Sequence, residues 1–225
     1  MTVDGIRARN RAAIEAEILR VGGEHLARSG AAALSLRAVA RDLGMAPSAL
    51  YRYVADRDDL LTLLIIAAYD SLADTVEEAI AQGRPSGPLT RFRTISTATR
   101  AWARDNPHHY ALIYGSPVPD YEAPAERTNR AGMRVPGLLL RVLAELPPPP
   151  PDPRAEKSLS GILSDPDVAG SGIGATILQR GLTAWMLVLG AVSTELFEGF
   201  GREAFSDADL FFDVVLDTAE RIVTG

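Results

Sequence analysis

The sequence predicts an all-α fold in two parts, a small N-terminal three-helix head with a helix-turn-helix and a larger helical domain. Three observations carry this. Apolar residues recur at helical spacing through most of the 225-residue chain, and no convincing period-two strand is present. Clusters of Gly and Pro cut that pattern into pieces of helix length. Residues 35–54 hold two short helical patterns joined by a glycine. The expected boundary separates residues 1–57 from 58–225.

In the head, Ile14, Ile18, Val21 and His25 form one stripe of a helix expected from about Arg7 to Arg28, which Ser29-Gly30 ends. Leu36, Val39, Ala40 and Leu43 then fall at i, i+3, i+4 and i+7, one apolar helical face. Gly44 stops that helix, because it takes a positive φ without a Cβ clash. Pro47 suits the first turn of the next helix, where its missing N–H costs nothing. Leu50 and Val54 face inward, so that second helix leaves Ser48, Ala49, Tyr51, Arg52 and Tyr53 mostly outward. A helix, a glycine turn and a second helix with small or polar early residues is a helix-turn-helix, and points to DNA as partner.

Charge agrees once it is divided. The formal net charge is −6, which by itself argues against a polyphosphate. Residues 1–57, however, hold nine arginines against six carboxylates, while 58–225 hold 14 basic against 23 acidic residues. Only the N-terminal part suits phosphate neutralisation.

The pattern Leu36-Arg37-x-Val39-Ala40-x-x-Leu43-Gly44-Met45, then Leu50-Tyr51-x-Tyr53-Val54 and Asp56-Arg57-Asp58-Asp59-Leu60-Leu61, resembles the DNA-binding head of the TetR family of transcriptional regulators. The resemblance covers roughly the first quarter of the chain; beyond it only length and helical character agree. It implies that Ala46, Pro47, Ser48, Ala49 and Arg52 face the major groove. Arg52 is the candidate for direct readout, since a guanidinium can bond O6 and N7 of guanine together; pairing with phosphate or solvent is the alternative. Ser35 and Arg37 open the first motif helix, where N–H groups and the helix dipole favour phosphate. Tyr51, Tyr53 and Arg57 match family positions that touch backbone phosphates, with core packing the alternative for the Tyr51 ring.

Beyond the head, Asp56 and Asp59 read as an N-cap pair opening a long helix with Leu61, Ile65, Ala68, Leu72, Val76 and Ile80 on one face. Gly83 to Pro88 is a break. A helix over about Leu89–Asn106 buries Phe92, Ile95, Thr99 and Trp102, and Pro107–Tyr114 begins a short one. Residues 115–125 form a loop, and a helix over about 125–145 is expected to kink or break at Pro136-Gly137. The Pro147–Pro151 run and Pro153 read as non-helical, and 152–170 stay undetermined. Two helices close the chain, roughly 173–198 and 207–223. The first is apolar nearly all round; the second has Phe211, Val214, Val215, Thr218 and Ile222 inward. The resemblance implies that these two helices pair with the same two of a second subunit as a homodimer. It also implies a repressor that meets a double-stranded, palindromic DNA operator and is released by a small, largely apolar effector. Whether the chain represses or activates stays open.

Candidate residues for an effector pocket are Phe92, Trp102, Tyr110, Tyr114, Met133, Trp185 and Met186, with plain core packing the alternative at each. Trp185 and Gly190 also resemble a Trp, His, Gly signature of one sub-group, but Leu189 stands where the His would be. No Cys is present, which removes disulfides, thiol catalysis and thiolate zinc sites. His25, His108 and His109 are too few and too poorly spaced for a His-rich metal site. No hydrolase, phosphate-loop or metalloprotease motif appears, and the Gly170–Gly174 stretch reads as a flexible lead into a helix. The expectation is therefore no enzyme, no cofactor and no metal. No signal-like segment is seen, and the longest uncharged apolar run, Gly181–Thr194, is 14 residues, so a cytoplasmic protein off the membrane is expected. A ligand-independent DNA-binding regulator, or a carrier or enzyme keeping the fold without an operator, are the alternatives.

Overall fold

The computed structural model describes residues 3–201 and 203–225, and every regular element among them is helical. Two compact units are present. One takes the residues up to Ser71 with Asn106–Gly132, the other Leu72–Asp105 with Met133–Gly225. The expected head, 1–57, lies whole within the first unit.

In that first unit, α1 (Val3–Ser29) starts ahead of the expected Arg7 and buries Ile18, Val21, His25 and Leu26. Gly30, at φ 74°, ends it ahead of a 3-10 turn at Ala31–Ala33. Next is α2 (Leu36–Asp42), with Leu36, Val39 and Ala40 buried, and Gly44 at φ 65° makes the turn that the sequence requires of it. α3 (Pro47–Leu50) opens on its proline and is shorter than expected. The regular helix does not reach Val54. Instead the Arg52 and Tyr53 N–H groups bond three residues back, to the Ala49 and Leu50 carbonyls at 3.3 and 2.9 Å. This tighter winding finishes the helix while bringing Val54 into the core beside Leu50.

α4 (Arg57–Gly83) begins with two linked caps. The Asp59 N–H donates to the Asp56 carboxylate at 2.8 Å, and the Ala55 N–H donates to the Asp59 carboxylate at 2.9 Å. α6 (Pro107–Tyr114) packs on α1, and α7 (Ala125–Gly132) sends Arg127 to Asp59 at 2.7 Å. Tyr121, in the loop between them, shares a 2.9 Å hydrogen bond with Thr62 of α4. One core results, formed by Ile18, Val39, Leu50, Val54, Leu61 and Leu64 among others, with Leu112 and Val118 packed against it. Burial on this scale holds the two motif helices at one angle, since each large side chain contributes about 1.5–3 kcal/mol.

In the second unit, α5 (Pro88–Asp105) packs against α8 (Arg134–Ala144), α12 (Ala175–Leu196) and α13 (Ala208–Thr224). As expected, Phe92, Ile95, Thr99 and Trp102 are buried. Arg100, also buried, donates twice to Glu195 of α12 at 2.7 and 2.9 Å and lies 4.7 Å from the Phe212 ring centre of α13. This ties three helices together through one guanidinium.

Several expectations are corrected here. The 125–145 helix is broken, as one alternative had it, into α7 and α8, but the two part at Gly132-Met133 rather than at Pro136-Gly137. A proline ring clashes with the carbonyl four residues back, here Gly132, so the break falls one turn ahead of Pro136. Pro153 is helical, as the first residue of α9 (Pro153–Ser158), where it needs no N–H donor; Asp152 caps that helix by accepting from the Arg154 N–H. α10 (Ser160–Leu163) and α11 (Pro166–Ala169) follow. On α13 the buried stripe is Phe212, Val215, Leu216, Ala219 and Val223, so Phe211 and Val214 face outward. α12 spans 22 residues, long and apolar enough by length and composition to cross a membrane, and not limited to the 14-residue run. It packs instead against α5, α8, α9 and α13.

Candidate nucleic-acid interface and effector cavity

The helix-turn-helix sorts its side chains into two faces. Leu36, Val39, Leu50 and Val54 point into the core, while Ser35, Arg37, Ala46, Pro47, Ser48, Tyr51 and Arg52 are exposed and Ala49 and Tyr53 half-buried. The half-exposed Tyr51 excludes core packing as its role in this chain. Tyr53 packs differently: the Arg11 guanidinium of α1 lies 5.4 Å from its ring centre, and the ring borders the core. Arg57 turns back on the head, donating to the Ala31 carbonyl at 3.1 Å and pairing with Asp58 at 3.1 Å. In this arrangement it braces the 3-10 turn.

Sequence reasoning placed His25 on the buried stripe but missed its partner. Its Nε2 lies 2.8 Å from Asp42 at the end of α2, and Arg28 and Arg41 reach the same carboxylate at 3.3 Å. The His25 hydrogen bond, with Arg41 and Arg28 adding to it, holds the Asp42 carboxyl below the usual carboxylate range. The signal was present as a spacing, because a buried His must find a polar partner. Nothing local, however, indicated which of the nearby carboxylates it would be.

The aromatic and Met candidates for a pocket do not form one cluster. Tyr110 and Tyr114 belong to the first unit, where their rings are 5.1 Å apart and Tyr69 meets Tyr114 edge-on at 6.4 Å. Burial raises the Tyr69 hydroxyl above the ordinary phenol value and pushes that of Tyr114 well above it. Phe92 and Trp102 are buried in the second unit, and Met186 is exposed. Met133 and Trp185 line a cavity of about 420 Å³ in that unit, together with Leu140, Leu143 and Leu182. Ile162 of α10 and Asp165, just ahead of α11, complete its other side. Gly181, also in its wall, lies so close to the Leu143 side chain that a Cβ there would collide with it. Among the described residues, no three His, Asp or Glu side chains gather as a metal site would require.

Residues 92–219 match a family described as the tetracyclin repressor-like C-terminal domain. The HTH-type transcriptional regulators Rv1816 of Mycobacterium tuberculosis and Mb1846 of Mycobacterium bovis are each 38% identical over 221 residues, covering 93% of this chain and 92% of theirs. The chain belongs to the TetR family. Its solved relatives agree: the regulatory protein SCO4313 superposes with a TM-score of 0.78 at 32% identity, covering 94% of this chain and 97% of that one. PfmR, a TetR-family regulator of Thermus thermophilus, shares the fold at a TM-score of 0.54 and 17% identity, over 92% and 97% of the two chains. TetR-family proteins are DNA-binding transcriptional regulators, not enzymes, and this chain is one of them. The two-part, all-helical fold read from the sequence is the family's fold.

Proposed function

We propose that this regulator is a repressor that binds a palindromic operator as a homodimer and leaves it when a small effector fills the second unit's cavity. The observation that carries the reading is the split of the helix-turn-helix into a buried apolar face and an exposed face bearing Ser48, Tyr51, Arg52 and Arg37. Small residues at Ala46 and Ala49 let the backbone come close to base edges, and Arg52 supplies bidentate donors for guanine. Arg37, Tyr51 and the half-buried Tyr53 are set for phosphate contacts, which position the head without reading sequence.

A dimer is supported by apolar surface with no cover in a single chain. Leu210 and Val214 of α13 are 61% and 54% exposed, and Met186 of α12 is 62% exposed. Patches of this kind mark interaction sites. A second copy bringing the same two helices would cover them, and a twofold dimer matches a palindrome. An effector acts by binding one conformation of the dimer better than the other, and a coupling of about 1–3 kcal/mol would weaken operator binding roughly 5–150-fold.

Footprinting and anisotropy on the DNA flanking the protein's own gene, at several salt concentrations, test the DNA half of this reading. A protected palindrome, with affinity falling steeply as salt rises, is the expected result. Weak binding that ignores sequence would overturn it.

A further inference from the structure

The stripe of α1 that enters the core changes character toward the N-terminus. Ile14, Ile18, Val21 and His25 lie on that stripe, and Arg7 and Arg11 continue it, seven and three residues ahead of Ile14. Ile18 is fully buried, whereas every residue over 7–13 is exposed. At a rise of about 1.5 Å per residue, this exposed run extends the inward stripe by about 10 Å past the core. Its charge differs from that of the rest of the helix. Residues 5–13 hold three arginines and no Asp or Glu, and Ala8, Ala12 and Ala13 add little bulk beside them. Further along, Arg20 is held between Glu17 and Glu24, so its charge is balanced.

Arg11 fixes where the basic stripe points. Its guanidinium lies 5.4 Å from the ring centre of Tyr53, just past α3. Glu15 accepts from the Arg11 Nε at 2.7 Å, and the side chain, 61% exposed, keeps further donors for another partner. Arg9, about 200° round the helix from Arg7, bonds back to the Gly5 carbonyl at 3.2 Å instead. We propose that the first turns of α1 are a second DNA-contacting element, in which Arg7 and Arg11 neutralise backbone phosphates beside the groove that α3 enters. This rests on the DNA reading of the head. Phosphate is the matching ligand because a guanidinium fork meets two phosphate oxygens at once and needs no base edge to do so. Arg57, turned back on Ala31 and Asp58, leaves that neutralisation to other cations.

Anisotropy of the full-length protein on a duplex from the DNA flanking its gene, and on an unrelated duplex of equal length, tests this across a salt series. The double variant Arg7→Ala with Arg11→Ala should weaken both duplexes alike and make the salt slope shallower by about two. Between about 50 and 200 mM salt, the wild type should then lose about tenfold more affinity than the variant does. Arg9→Ala, which removes the same charge from the opposite side, should leave the slope unchanged. An unaltered slope in the double variant, with Arg37→Ala still lowering it, would overturn the α1 element and leave the DNA reading standing. An equal effect of Arg9→Ala would assign the loss to net charge and overturn it too. Weaker binding with the slope kept and a lower unfolding midpoint would reduce Arg11 to a brace for Tyr53, again overturning the phosphate role. Failure of the wild type to bind either duplex would overturn the DNA reading and this element with it.

Discussion

At the scale of the residue, the proposed DNA reading gives Arg52 and Arg37 two different kinds of contact. Both are exposed on the head; Arg37 lies in α2, and Arg52 comes just after α3. Arg52 follows α3, whose small residues would, on that reading, let it reach base edges, so its removal should affect some operator sequences far more than others. Arg52→Ala is expected to cost about 1–3 kcal/mol on the preferred operator and to relax the preference at one base pair. Arg37→Ala should weaken all sequences alike and reduce the salt slope by about one. Anisotropy titrations against a set of single-base operator variants measure both. Equal loss across all variants for Arg52→Ala would reassign that arginine to phosphate.

At the scale of the element, the contact of α6 with α1 carries a group that responds to pH. His109 of α6 is half-buried, and its Nε2 approaches Gly23 of α1 so closely that a Cβ there would stand 3.2 Å from it. Burial, with His108 adding to it, pushes the His109 imidazole below its ordinary value. The folded chain therefore prefers the neutral ring, and the unfolded chain takes up the proton at higher pH. Stability that depends on the neutral ring is complete above about pH 6.5 and is lost progressively as pH falls below it. Denaturant midpoints should drop between pH 7 and 5 in the wild type, and His109→Gln should flatten that part of the profile. An identical slope in the variant would show that His109 is not the group responsible.

The same scale shows where sequence patterns stop being decisive. Periodicity located α6, α12 and α13 closely because each has a proline, a cap or a glycine at its ends. On α13 it was right about Val215 but put Phe211 and Val214 inward too: Phe211-Phe212 and Val214-Val215 are adjacent apolar pairs, and only the packing against α12 and α5 selects Phe212 over Phe211 and leaves Val214 outside. Pro153 was misread for a related reason. A proline excludes a helix interior but fits a first turn, and the choice depended on the cap at Asp152.

For the whole molecule, the outward face of α12 and α13 is where the proposed dimer is tested. Val214→Asp places a charge in the exposed apolar stripe without touching the buried one. Light scattering after size exclusion should show the mass halve, with helical content retained, and operator affinity should fall because two heads no longer bind as one. A variant that kept the wild-type mass would move the dimer contact away from α13.

The head was legible in the sequence because everything that defines it is local. Leu36, Val39, Ala40 and Leu43 repeat within a single helix, Gly44 must turn and Pro47 must start, so order and spacing alone specify which faces are buried. The candidate effector residues were not legible in that way. Large aromatic and Met side chains mark apolar surroundings, but a buried ring in a packed core and one beside a cavity have the same neighbours in sequence. Tertiary structure placed Tyr110 and Tyr114 in one unit and Trp185 in the other, split the 125–145 helix ahead of Pro136, and set Asp165 in a wall otherwise apolar. Local spacing determines which residues can share a face. Which faces meet, and where a void is left between them, depends on contacts between residues far apart in the chain, and those come into being only when the chain packs.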